Sequence, residues 1–219
     1  MTKSKLCVLC GLQPATTKDH LPPKSIYPKP REPGLQLFTV PSCIDCNNGD
    51  AKADEEFKMV VAMETGEVRN NKEQLARSVA KTIGHNQRIA NEVFSTAKRV
   101  FVDRGSGVHL PETKITFNFE LYQIVVQRIV RGLYWRETGN IASVDDTITV
   151  IPANGMDDKL HFMFRDLLPR LETKSLNNDS VRYKCHTDNN TSIWAINIFE
   201  RHTVFASASH VGTRSPRPK

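Results

Sequence analysis

The spacing of apolar residues divides this 219-residue chain into three stretches. Up to about residue 66 no period is sustained, and Pro14, Pro22, Pro23, Pro28, Pro30, Pro33 and Pro41 exclude long helices before Cys43. That stretch reads as loop and short strand. Residues 47–63 are free of proline, place Phe57, Val60 and Val61 on or near one face, and carry Asp54, Glu55 and Glu56 early, which predicts a helix.

In the second stretch, residues 71–103, apolar positions recur at Leu75, Val79 and Ile83, slip register across Gly84-His85, and resume at Ile89, Val93, Ala97 and Phe101. This is the pattern of two helices, or of one with a break. Residues 119–137 are apolar around most of a helical circumference, through Leu121, Tyr122, Ile124, Val125, Ile129, Val130 and Leu133, and predict a buried central helix. Arg128, Arg131 and Arg136 within it need partners or an exit to solvent. Beyond Gly139 the texture changes to short β-rich runs at 147–151, 160–164, 181–185, 192–199 and 203–207, separated by Asn, Asp and Gly, which predict antiparallel strands. Residues 214–219 are too polar to pack and are expected to form a disordered basic tail.

The fold class expected is therefore α+β: a small N-terminal module over 1–66, a helical and antiparallel-β accessory domain over 67–212, and a tail over 213–219. A chain of this length suits one small and one larger domain. No internal repeat is present. No run of eighteen apolar residues occurs and the N-terminus lacks an apolar signal core, so no membrane partner and a cytoplasmic location are expected. The net charge of +6 is uneven: residues 1–66 carry eight basic and eight acidic side chains, leaving 22 against 16 for the remainder. A basic accessory part would attract a polyanion by counterion release, although so modest an excess is equally common in proteins that bind none.

Cys7 and Cys10 form one Cys-x-x-Cys pair, Cys43 and Cys46 a second, and Cys185 is left over. Reduced cytosolic thiols favour metal ligation over disulfides, and two such pairs complete a closed, tetrahedral four-thiolate zinc site. All four positions would be filled by protein, so that zinc is structural and chemistry must come from what it holds in place.

The two pairs bracket Asp19-His20-x-Pro22, and the second runs directly into Asn47. This constellation, covering roughly residues 5–62, resembles the HNH endonucleases with zinc knuckles, in which two strands and a helix form a ββα-metal fold. The resemblance implies hydrolysis of DNA phosphodiester bonds, with His20 as general base and Asp19 and Asn47 holding Mg2+ or Mn2+; Asn48 or Asp50 could join or replace Asn47. The chemistry is consistent with those residue types. A histidine with pKa near ~6.5 accepts a proton from water at neutral pH, and carboxylate and amide oxygens suit a hard cation. The family's middle asparagine is missing, since no Asn lies between His20 and Cys43. Thr39, Ser42, Gln36 or a backbone carbonyl is left to orient the His20 ring.

DNA is the expected substrate, and no residue distinguishes it from RNA. The accessory domain would supply specificity, contact to a regulatory protein, or homo-oligomerisation. The competing function is a catalytically inactive zinc-finger nucleic-acid-binding or adaptor protein on the same scaffold, in which Asn47 serves only as a helix N-cap. Arg77, Lys81 and Arg88 could share a phosphate-facing surface, but a solvated charged face explains them as well. Trp135, Tyr134 and Trp194 suit core packing better than base stacking. Cys185 reads as a strand thiol, and His85, His109, His161, His186, His202 and His210 show no ligand spacing.

Overall fold

The computed structural model describes residues 6–65, 71–103, 105, 107–153, 156–188 and 190–211. The expected domain boundary after residue 66 and the expected basic tail lie outside the described residues. The architecture is mixed α and β, with an N-terminal ribbon and helices, a long central helix and a five-stranded antiparallel sheet.

β1 (Thr17–His20) pairs antiparallel with β2 (Thr39–Ser42), setting Thr17 opposite Ser42 and His20 opposite Thr39. The helix expected over 47–63 is two helices, α1 (Ile44–Asn48) and α2 (Ala51–Thr65). Cys43 caps α1, its Sγ accepting the Cys46 N–H at 3.5 Å. The chain then passes Gly49, where a Cβ would stand 2.7 Å from the Asp45 carbonyl oxygen, and α2 restarts with the Asp54 N–H on the Asp50 carbonyl at 3.0 Å. Asn47 thus lies in the last turn of α1 and is not an N-cap.

α3 (Asn71–His85) and α4 (Gln87–Thr96) meet where the apolar register slips. The continuation through Ala97 and Phe101, expected as helix, is instead β3 (Lys98–Asp103), paired with β4 (His109–Lys114). Local chemistry decides this. Val100 and Val102 favour a strand, Asp103 Oδ1 accepts the Gly105 and Gly107 N–H groups at 2.9 and 3.0 Å to close the tip, and Thr96 Oγ1 donates to the Thr116 carbonyl at 3.2 Å at the root.

α5 (Phe119–Thr138) is the buried central helix, capped by Asn118, whose Oδ1 accepts the Leu121 N–H at 3.1 Å, and ended by Gly139 at φ 73°. The sheet runs in the order β5 (Thr147–Pro152), β9 (His202–Ser209), β8 (Thr191–Ile198), β7 (Val181–Thr187), β6 (Lys174–Leu176). Residues 160–164, expected as strand, belong to α6 (Asp158–Leu167). The Asp157 carboxylate accepts the Leu160 N–H at 2.8 Å, a cap that selects helix for an apolar run compatible with either state, and Phe164 packs at 4.5 Å on Phe205 of β9.

α5 is sandwiched between ribbon and sheet. On one side Gly132 has so little room that a Cβ would fall 2.1 Å from Leu21 Cδ1 and 3.3 Å from Val40 Cγ1. On the other side Gln127 Nε2 donates to the Ile148 carbonyl at 3.0 Å and the Tyr183 hydroxyl to Glu137 Oε1 at 2.6 Å, while Lys174 pairs with the second oxygen of Glu137. One hydrophobic core runs through all three layers, from Val8, Leu21 and Val40 through Phe57, Val125 and Ile129 to Trp194 and Ile196. No helix among the described residues is long and apolar enough to cross a membrane.

Candidate functional site

The sulfur atoms of Cys7, Cys10, Cys43 and Cys46 lie within 4.8 Å of one another. A tetrahedral ion with Zn–S bonds near 2.3 Å needs sulfurs roughly 3.8 Å apart, so the cluster could hold a metal such as zinc. Backbone geometry sets the two pairs. Cys7 donates its N–H to the Gln13 carbonyl and accepts the Gly11 N–H, both at 2.8 Å, which turns the first pair into a tight knuckle. The Val8 N–H on the Pro41 carbonyl at 2.9 Å ties that knuckle to β2, and α1 carries the second pair.

The metal-free thiols are mutually opposed. Burial pushes Cys46 up, and hydrogen bonds and charge from Cys43, Cys7 and Cys10 push it further. Burial also opposes ionisation of Cys7, but backbone N–H groups around it outweigh that and bring it down to about 7. Four thiolates in so small a volume need a cation among them, which is the fit expected of a metal site. Cys185 stands apart, on β7 opposite Trp194.

Asp19 and His20 end β1, and neighbouring strand residues project to opposite faces. Asp19 points inward and is buried. Its Oδ2 accepts from Arg128 Nη2 at 2.5 Å, and the same guanidinium donates through Nη1 to Asp54 Oδ1 at 2.8 Å. Burial raises the Asp54 carboxyl, which Arg128 partly offsets. The Arg128 pairing resolves one expected need for a partner. Arg131 donates to the Ala142 and Ser143 carbonyls at 3.3 and 2.7 Å, and Arg136 lies 5.4 Å over the Phe38 ring.

His20 is half-buried on the other face. Burial lowers its pKa, and the nearby charges of Lys24 and Arg31 lower it further against the opposing pull of Asp19. Both effects favour the neutral ring. Of the side chains expected to orient it, Ser42 is committed elsewhere: its hydroxyl donates to the Cys43 carbonyl at 3.1 Å and touches Cys7 Sγ at 3.9 Å. Asn47 is half-buried, Asn48 is exposed, and Asp50 sits one turn of α2 before Asp54. The Cys quartet is the one group of three or more His, Cys, Asp or Glu ligand atoms gathered together among the described residues.

A cavity of about 310 Å3 opens between α2, α3 and α4, walled by Asp54, Lys58, Met59, Val79, Ile83 and Ile89. Arg77 and Lys81 are exposed on α3, while the Arg88 side chain lies outside the described residues. Tyr134 and Trp194 are core residues, as expected.

Sequence reasoning missed three polar assemblies. One is Asp19–Arg128–Asp54. In the second, Tyr122 Oη, His202 and Glu64 are linked at 2.9 and 2.6 Å. In the third, Asp146 Oδ2 meets His210 Nδ1 at 2.7 Å, His210 Nε2 meets Ser192 Oγ at 3.0 Å, and Trp194 Nε1 donates to that hydroxyl at 2.9 Å. The third has the order of a nucleophilic triad, but Ser192 is 1% exposed, which denies substrate access. It joins the loop before β5 to β8 and the end of β9. Lone His, Ser and Asp at wide spacing left no signal of these contacts in the sequence.

No family model matches the chain, and neither a curated protein nor a solved structure matches it.

Proposed function

We propose that the protein is a metal-dependent nuclease of the HNH type, cutting DNA phosphodiester bonds on a scaffold stapled by structural zinc. The observation that carries this reading is the placement of His20. It ends a strand next to a buried acid, in a ribbon fastened to the four-cysteine cluster, and its surroundings favour the neutral ring. A neutral imidazole takes a proton from water, the first requirement of phosphodiester hydrolysis. Lys24 and Arg31, whose charges reach the ring, also attract phosphate. Asp19 Oδ1 and the Asn47 side-chain oxygen are the ligand atoms this reading assigns to a catalytic cation, with Asp50 available from the start of α2. Mg2+ or Mn2+, when bound, supplies charge to neutralise the scissile phosphate and the departing 3′ oxygen. The order of β1, β2, α1 and α2 supports this reading in so far as a strand pair is followed by helix, here broken in two at Gly49. The reading places the protein in the cytoplasm, with a regulatory protein or second copy meeting its C-terminal part.

The test is cleavage of supercoiled and linear DNA by the zinc-loaded protein with Mg2+, Mn2+ or EDTA, beside His20→Ala. Metal-dependent cutting that the substitution abolishes is expected. Failure to cut with either cation, with DNA still bound, supports the second reading: an inactive zinc-stapled nucleic-acid-binding module. One observation favours that second reading, namely that Asp19 is already paired with Arg128.

A further inference from the structure

The ribbon of β3 and β4 is a sheet separate from the other two, and none of its strand residues is buried. Strands of this length, at about 3.4 Å per residue, make an arm roughly 20 Å long. It is rooted where Thr96 and Thr116 hydrogen-bond and turns at Gly105 and Gly107. A lone hairpin has no core of its own and is marginal in water. Phe101, Val108 and Leu110 are nonetheless 62%, 56% and 52% exposed on it, an apolar surface that calls for a partner.

Charge identifies the partner. Residues 98–114 carry four basic and two acidic side chains. The ladder register sets Lys98 directly opposite Lys114 at the root, a like-charge pair that costs stability until an anion lies against it. The two faces also differ. The partly covered residues Val100, Val102 and Glu112 share one face, whereas the face bearing Arg99, Phe101, Pro111 and Thr113 is exposed throughout. On that open face Arg99 lies 5.6 Å over the Phe101 ring. Its one acid, Asp103, has Oδ1 committed to the Gly105 and Gly107 N–H groups. Two arms laid together would bring positive charge onto positive charge, while a polyanion neutralises it.

We infer that the β3–β4 ribbon is an arm that lies in the major groove of duplex DNA, open face inward, with Lys98 and Lys114 on flanking phosphates and Arg99 and Phe101 against base edges. A groove about 12 Å wide admits a two-stranded ribbon, and thymine methyl groups give an exposed aromatic ring an apolar surface to cover. The inference takes its ligand class from the nuclease reading, but it concerns grip rather than cutting.

The experiment is fluorescence anisotropy of a labelled DNA duplex with the full-length, zinc-loaded protein, without added divalent cation, across a range of salt concentrations. Lys98→Gln with Arg99→Gln and Lys114→Gln is expected to weaken binding at least about tenfold and to lower the slope of log affinity against log salt by about 2–3. These positions are exposed and the substitutions relieve the Lys98–Lys114 repulsion, so the arm itself should persist. Phe101→Ser is expected to weaken binding with the slope unchanged. Lys159→Gln with Arg165→Gln and Arg170→Gln removes the same charge from exposed positions elsewhere and should leave the slope nearly as it was. Equal losses from the two triple variants would assign binding to bulk charge and overturn the inference. Equal affinity for the same sequence as duplex RNA, whose major groove is too narrow for a ribbon, would also overturn it. So would a DNA-free dimer in sedimentation that Phe101→Ser dissolves, because the arm would then belong to a second copy. DNA binding that the arm variants leave untouched overturns this inference and spares the nuclease reading. A protein that grips DNA through the arm but cuts with no cation keeps the inference and loses that reading, and one that binds no DNA loses both.

Discussion

Asp19 and Arg128, 109 positions apart in the chain, meet at 2.5 Å in the interior. The contact joins the β-ribbon to the central helix through charge. Removing one member of such a pair leaves an uncompensated buried ion, which costs about 3–5 kcal/mol. Arg128→Met is expected to lower unfolding stability by that order in a urea titration of the zinc-loaded protein, and Arg128→Met with Asp19→Asn and Asp54→Asn to recover most of it. A triple variant as unstable as the single one would show that packing, not charge, holds this junction.

Metal removal should act on the fold before it acts on any chemistry. The cysteine sulfurs converge from two segments far apart in sequence, the knuckle at Cys7–Cys10 and the junction of β2 with α1, and structural zinc is worth on the order of 10 kcal/mol at neutral pH. Treatment with a chelator, or Cys43→Ser, is expected to release one zinc per chain and lower the thermal midpoint sharply. Calorimetry alongside elemental zinc analysis checks this, and an unchanged midpoint after complete zinc loss contradicts it.

On the nuclease reading, the acidic limb of a cleavage profile is expected below the ordinary histidine value of 6.5, because burial and then Lys24 and Arg31 lower the His20 pKa. A depressed pKa means that the folded state prefers the neutral ring. Its contribution to stability is present above the unfolded value and is lost as pH falls through the folded one. Cleavage is therefore expected to persist into mildly acid solution. Lys24→Ala is expected to move the acidic limb upward, as read from kcat/KM against pH. A limb that does not move would remove His20 as the titrating group or Lys24 as its neighbour.

The Asp146–His210–Ser192 assembly should be structural. Both ionisable side chains are 2% exposed, and Asp146 also accepts the Ser143 and Val211 N–H groups at 3.0 and 2.8 Å. His210→Ala is expected to cost about 3 kcal/mol in denaturant unfolding by stranding a buried carboxylate and emptying the space against Tyr134. Zinc content and Mn2+ binding should not change. Loss of cleavage without loss of stability would give this assembly a chemical role.

At Gly132 the helix touches the ribbon so closely that a larger side chain has nowhere to go. Gly132→Val is expected to destabilise by about 1–3 kcal/mol and to loosen the Asp19–Arg128 contact one turn away, seen as faster amide exchange in β1. Protection equal to that of the wild type would show that Leu21 absorbs the strain.

The sequence made some of this legible and hid the rest for definite reasons. Cys-x-x-Cys spacing is short-range and chemically specific, so all four sulfurs of the cluster were identifiable. The central helix was readable because its apolar positions recur over 20 residues. Residues 98–103 and 160–164 were misassigned because short apolar runs satisfy helix and strand periods alike, and single aspartates, Asp103 and Asp157, decide between them. The partner of Asp19 could not be read at all. Arg128 carried a signal, being a charge on an apolar helix, but nothing local says which distant acid answers it.

The close approach at Gly132 bears on how the ribbon and its cysteine cluster can be handled. Cutting the chain after residue 66 would strip Leu21 and Val40 of their cover and abandon Asp19 without its counter-charge. The N-terminal segment is accordingly not a cassette that can be grafted onto another protein. A transplant would have to bring α5 along, or redesign the inward side of β1 from its first buried residue.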